Sequence, residues 1–401
     1  MAVLSDLPPE LIFLTISFLT REKVLDPDNC LPLAEPRSRG LECVPDLPSI
    51  NSLSQTNRAF HYTLDQTLYD LCASVETLGK LALVFAVTQQ SESTVDRLVA
   101  VGVRLDTQFN CKDDCCGPLH IAAALGHTAM VIKLLGMCGE ELVHIRSLNK
   151  RTALDYAARY GHMDVVQILA PIPQPGSSHS DYVSIALLEA VRVGDIEISR
   201  CLISEGADVN FFHGRSAGGS CPLYVAVCLR NLGLVQLLLI SGADPDGDKP
   251  YIPLFVAARR GDLGILRALV GGGADIHVRD DQRRNVLVFC GTNMGPLCFF
   301  LERGVDPNNQ DRHGQTVLQK ACGKDHAAYG RDFVEVLCQY GAALDIANHD
   351  GETAVDLAME NGLAGVLLIM ERFAQSPERF GERNDYLTVS PQVLPPRSSR
   401  V

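Results

Sequence analysis

The 401-residue chain is short of positive charge: 35 Lys and Arg stand against 48 Asp and Glu, for a formal net charge of -13. Nucleic acid and anionic membranes repel such a chain, so neither is an expected partner unless a local basic face provides for it. A disulfide framework is also missing. The 14 cysteines are scattered over a long chain, and no Asn-x-Ser/Thr acceptor occurs. The sequence therefore predicts reduced, mostly buried thiols in a cytoplasmic or nuclear protein. No apolar run approaches the ~20 residues that span a bilayer. The run from Leu11 to Leu19 is broken by Thr15 and Ser17, and Asp6 and Glu10 precede it where a signal peptide would carry Lys or Arg. It reads as a helix with Pro8 and Pro9 in its first turn, where a missing N–H costs nothing. No P-loop, His-Glu-x-x-His or dinucleotide fingerprint appears, so no cofactor is expected.

What is present is a repeat. Aligned on one apolar position, the chain gives Leu83, Leu119, Leu154, Leu187, Leu223, Leu254, Leu287, Leu318 and Val355, at intervals of 31 to 37 residues. Three residues later the column reads Ala86, Ala122, Ala157, Ala190, Ala226, Ala257, Cys290, Ala321 and Ala358. A small side chain recurring at one point of a helix lets a neighbouring backbone approach closely. Apolar residues about a dozen positions on, such as Val131, Leu134 and Leu135, predict a second helix in each unit. Gly206-Ala207-Asp208, Gly242-Ala243-Asp244 and Gly273-Ala274-Asp275 punctuate the units, glycine ending a helix in the left-handed conformation. Pro118, Pro222 and Pro253 then restart a helix.

This pattern resembles the ankyrin repeat over about residues 78–373. The resemblance implies an all-α solenoid of about nine helix-turn-helix repeats joined by short β-hairpin fingers. The seventh repeat is about two residues short, and the eighth carries extra residues from Lys324 to Arg331. "PIPQPGSSHS" from Pro171 marks a possible bend or split near 171–180. Beyond 373 the sequence turns polar and proline-rich, and 374–401 reads as a disordered tail.

Residues 1–72 carry two helical segments parted by a proline- and charge-rich insertion at about 24–47. Leu7, Pro8, Glu10 and Leu11, then Ser17, Phe18 and Leu19, then Leu53, Ser54, Arg58 and Tyr69 are similar to the two halves of an F-box. That resemblance implies that Leu7, Pro8, Leu11, Ile12, Phe18 and Leu19 hold a Skp-family adaptor of a cullin-based ubiquitin ligase. The alternative is an N-terminal helical cap on a ligase-independent scaffold.

Two chemical motifs need weighing. Gly214-Arg215-Ser216-Ala217-Gly218 fits a nucleophile elbow, but that motif needs a strand turning into a helix, and here Gly219 and Ser220 follow. Cys111, Cys115 and Cys116 with His120 lack the paired spacing of zinc ligands, and His120 sits where ankyrin histidines bond the backbone. Neither catalysis nor a metal site is expected. Binding is placed instead on the ends of the inner helices: Arg159, Tyr160, Arg192, Arg259 and Arg260, with Phe211 and Phe212 at a finger tip. Arginine forks two hydrogen bonds to an anion, so the expected target is a protein with an acidic or phosphorylated segment.

Overall fold

A computed structural model describes Tyr69, Cys72 and residues 76–111, 114–172, 179–212, 221–247, 252–323 and 329–375. The F-box-like residues Leu7, Pro8, Leu11, Ile12, Phe18 and Leu19 lie outside the described residues, as do the Gly214–Gly218 motif and the tail from 376. Two compact units divide the chain between Pro222 and Leu223.

The first unit pairs α1 (Glu76–Thr88) with α2 (Glu92–Ala100), α3 (Pro118–Ala124) with α4 (Thr128–Cys138), α5 (Ala153–Tyr160) with α6 (Met163–Leu169), and α7 (His179–Val193) with α8 (Ile196–Ser204). The first member of each pair is the inner helix, and α1, α3, α5 and α7 pack in succession. The alanine column explains the close approach. Ala86, Ala122, Ala157 and Ala190 are all fully buried, each leaving room for the next helix's backbone. The outer helices bury Val95 and Leu98, Val131 and Leu134, Val165 and Leu169, and Ile198 and Leu202. Each such side chain contributes about 1.5–3 kcal/mol relative to exposure. On either side of the segment near 171–180, α5 and α7 pack directly against each other, so the helix stack is not split there.

The second unit continues the same plan with inner helices α9 (Pro222–Cys228), α11 (Pro253–Arg260), α14 (Val317–Cys322) and α16 (Ala354–Glu360). Its outer helices are α10 (Leu232–Ile240), α12 (Leu263–Gly271), α13 (Met294–Leu301), α15 (Arg331–Gln339) and α17 (Ala364–Ala374). The short seventh repeat has a physical form: its inner element is a single 3-10 turn, Val286–Phe289, with Cys290 fully buried in the alanine position. Burial pushes the Cys290 thiol up, as it does those of Cys322 and Cys338, so these thiols stay protonated core residues.

The fingers follow the sequence more loosely. Among the described residues one finger pairs as a hairpin, β1 (Phe109–Cys111) with β2 (Asp114–Cys116), in the register Phe109 opposite Cys116. Elsewhere the aspartate after Gly-Ala, or after Gly-Val at Asp306, bends the chain on itself. Asp208, Asp244, Asp275 and Asp306 each accept, through Oδ1, the backbone N–H two residues on. A side chain closing its own turn replaces strand pairing there.

Helix ends follow from local chemistry. Thr152 with Asp155, Thr316 with Gln319 and Thr353 with Asp356 form capping boxes. The repeats are further tied where an inner helix turns into its outer one. His127 Nε2 meets the Thr88 carbonyl at 3.1 Å, His162 Nε2 that of Ala124 at 2.9 Å, and Asn293 and Asn361 donate to those of Arg259 and Cys322. His162 leaves no space for a side chain at Gly126, whose φ is +72°. Replacing Ala157 with Leu should therefore cost about 1–3 kcal/mol of unfolding free energy through overpacking. Ile240→Ala, at an 86% exposed position, should fall within about 0.5 kcal/mol of the parent. Urea denaturation of both variants checks the contrast.

Candidate functional site

The inner helices of the first unit end on a common exposed edge. Arg159 and Tyr160 close α5, Arg192 and Val193 close α7, and all four are exposed. Gly161, with φ +80°, ends α5 in the left-handed form, so the chain turns away and leaves these side chains uncovered.

At the foot of this edge lies Glu189 in α7, only 5% exposed. Three guanidiniums converge on its carboxylate. Arg192 Nη1 donates to Oε1 at 3.0 Å, Arg151 Nη2 stands 3.6 Å from Oε1, and Arg159 Nη1 stands 3.5 Å from Oε2. The row predicted from sequence is thus partly a cluster: Arg159 and Arg192 are brought together, along with Arg151. Tyr160 stacks on Tyr156 with ring centroids 6.5 Å apart, and Tyr156 meets His120 edge-on. His120 itself accepts the Gly117 N–H at Nδ1 and sets Nε2 3.2 Å from the Arg151 carbonyl, so both ring nitrogens serve the backbone. Among the described residues no group of His, Cys, Asp and Glu is placed to hold a metal.

Asp155 holds the position of His120 one repeat later. Its Oδ2 accepts from the Thr152 N–H at 2.7 Å and hydroxyl at 3.0 Å, whereas its buried Oδ1 has no hydrogen-bond partner. Burial pushes its carboxyl up to about 7; Glu189 adds to the rise, and the Thr152 donors and Arg146 oppose it. Sequence reasoning passed over Glu189, Asp155 and Arg151. The only signal was a Glu or Asp in helix positions that elsewhere hold Ile121, Val256 or His120.

In the second unit Arg259 and Arg260 close α11 and are exposed. Arg259 borders a cavity of about 260 Å³ with Tyr224, Ile252, Phe255, Arg284 and Phe289. Phe255 and Phe289 stack 4.4 Å apart, and Arg284 lies 4.9 Å over Phe289 while forking to Asp280. In the first unit Phe211 is half-buried and Phe212 exposed.

A family model described as "Ankyrin repeats (3 copies)" matches residues 83–180 and 287–378, and one described as "Ankyrin repeat" matches 218–248 and 251–281. The chain carries ankyrin repeats. Ankyrin repeats bind protein partners. The human "Mitochondrial disaggregase" is 32% identical over 204 residues, covering 50% of this chain and 28% of that protein. The human "Ankyrin repeat and SOCS box protein 16" is 29% identical over 188 residues, covering 44% and 40%. The chain thus spans less than half the length of either relative. The crystal structure of the human ASB11 ankyrin repeat domain is 24% identical with a TM-score of 0.46, covering 56% of this chain and 98% of that one.

The Asp155 environment predicts a pH dependence. With a folded value of about 7 against an ordinary 3.8, the folded ankyrin array holds a proton that the unfolded chain has released in between. Its contribution to stability is full below about 4 and is lost as pH rises toward 7. Asp155→Asn should flatten the fall in urea midpoint between pH 5 and pH 7.5, and a slope unchanged by the substitution would contradict the assignment.

Proposed function

We propose that this ankyrin-repeat protein is a non-catalytic adaptor that recruits a protein target to a cullin-based ubiquitin ligase. The observation that carries the target-binding half is that each unit exposes cationic or aromatic side chains where its inner helices end, on a chain of net charge -13. In the first unit these are Arg159, Tyr160 and Arg192, with Phe211 and Phe212 expected at the finger tip, and in the second, taken by itself, Arg259 and Arg260. Arginine and tyrosine are the side chains that interface centres select. The ligase half rests on the F-box-like pattern of Leu7, Pro8, Leu11, Ile12, Phe18 and Leu19, which would seat a Skp-family adaptor. A relative whose name joins ankyrin repeats to a SOCS box gives a precedent for a repeat array coupled to a second box. The protein would act by raising the local concentration of its target beside the ligase's catalytic partners.

One observation favours the rival reading, a ligase-independent scaffold with an N-terminal cap. The Tyr69 ring lies under the Arg97 guanidinium at 5.6 Å, and Cys72 is buried with its carbonyl against Gly79 of α1. Tyr69 and Cys72 thus lie against the first helix pair.

Capture of purified Skp-family adaptor by the immobilised intact chain, and its loss on Leu7→Asp with Leu11→Asp, is the result expected of the ligase adaptor. Capture by neither protein, with the array folded in both, leaves the capped scaffold.

A further inference from the structure

Of the three guanidiniums around Glu189, only that of Arg192 makes a hydrogen bond to the carboxylate; those of Arg151 and Arg159 stand off at ion-pair distance. Among the described residues no side-chain hydrogen bond is made by Arg151 or Arg159, so most of the fork donors in the cluster are unspent. The Glu189 side chain is buried, while those of Arg151, Arg159 and Arg192 are 26%, 41% and 38% exposed. A ligand arriving at this edge meets guanidinium faces and not the anion that gathers them. Among these four side chains, one carboxylate against three cations leaves an excess charge of two.

The form of that charge selects the ligand. A tract of acidic side chains would need cations spread along the groove, whereas these converge within 4.0 Å of one carboxylate. A lone carboxylate ligand would leave one positive charge over. A phosphomonoester carries about -1.5 to -2 at neutral pH and offers three acceptor oxygens at one point. Beside the cluster, the ends of three successive inner helices expose apolar side chains at one level: Leu125 at 45%, Tyr160 at 56% and Val193 at 54%.

We propose that Arg151, Arg159 and Arg192, held together by Glu189, form a receptor for a phosphorylated side chain of a protein target, with Leu125, Tyr160 and Val193 taking the apolar residues on either side of it. This rests on the reading of the repeat edge as target-binding, and it narrows that target from acidic to phosphorylated.

The test uses the immobilised intact chain and three degenerate peptide pools that differ only in a fixed central phosphoserine, glutamate or serine. The phosphoserine pool should be retained at least about tenfold over the other two. Arg159→Ala with Arg192→Ala should bring it down to the serine level, and Arg200→Ala, a surface control on α8, should leave it unchanged. Because losing two cations could unseat Glu189, Arg192→Gln alone is measured beside it, with circular dichroism to confirm the fold. That variant should lose about tenfold in retention. Equal retention of the glutamate pool, no retention of any pool, or retention indifferent to Arg192→Gln overturns the proposal. Adaptor capture by the same immobilised chain is scored separately, so a failed ligase role and a failed phosphate receptor give different results.

Discussion

The close approach of successive inner helices is the constraint from which the rest of this ankyrin-repeat structure follows. Fully buried alanines at one point of each inner helix remove the side chain that would hold two backbones apart. In the first unit the helices then stack with their ends at one level, and whatever residues fall there share an edge. Stability in such an array is a sum of nearest-neighbour terms, and here those terms are visible: buried alanine against backbone, outer-helix Leu and Val pairs, and a histidine or asparagine reaching the carbonyl of the preceding turn.

The same approach gives the edge its electrostatics. Where α5 and α7 pack, a glutamate on α7 is drawn out of water. A buried carboxylate needs compensation, and Arg159 of α5, Arg192 of α7 and Arg151 just ahead of α5 supply more than enough. The result is a fixed group of cations on an otherwise acidic protein. Burial of Asp155 in the first turn of α5 works in the opposite sense, pushing its carboxyl up toward neutrality, and its Oδ1 has no donor to meet.

Much of the fold was legible in the sequence because its signals are local. The leucine and alanine columns gave the inner helices, Gly206, Gly242 and Gly273 the left-handed turns, and Pro118, Pro222 and Pro253 the helix starts. The seventh repeat's shortness was visible as spacing, but its collapse to one 3-10 turn was not, since that depends on how Cys290 fills the alanine site. The aspartates after Gly-Ala were read as punctuation, though each closes its own turn. The site was legible only in part. Arg159, Tyr160, Arg192, Arg259 and Arg260 were visible as a row because their spacing repeats. Their grouping around Glu189 was not, because a glutamate on a helix looks the same in sequence whether it faces water or a neighbouring backbone.

The central claim is that helix packing, rather than chance proximity at a surface, binds the arginines to Glu189. A double-mutant cycle of Arg159→Ala and Glu189→Gln, followed by urea denaturation at neutral pH, measures this directly. The account predicts a coupling free energy between about 0.5 and 3 kcal/mol, the range of residues sharing a buried ionic network. Costs that add within about 0.3 kcal/mol would show the two side chains to be independent and would contradict it.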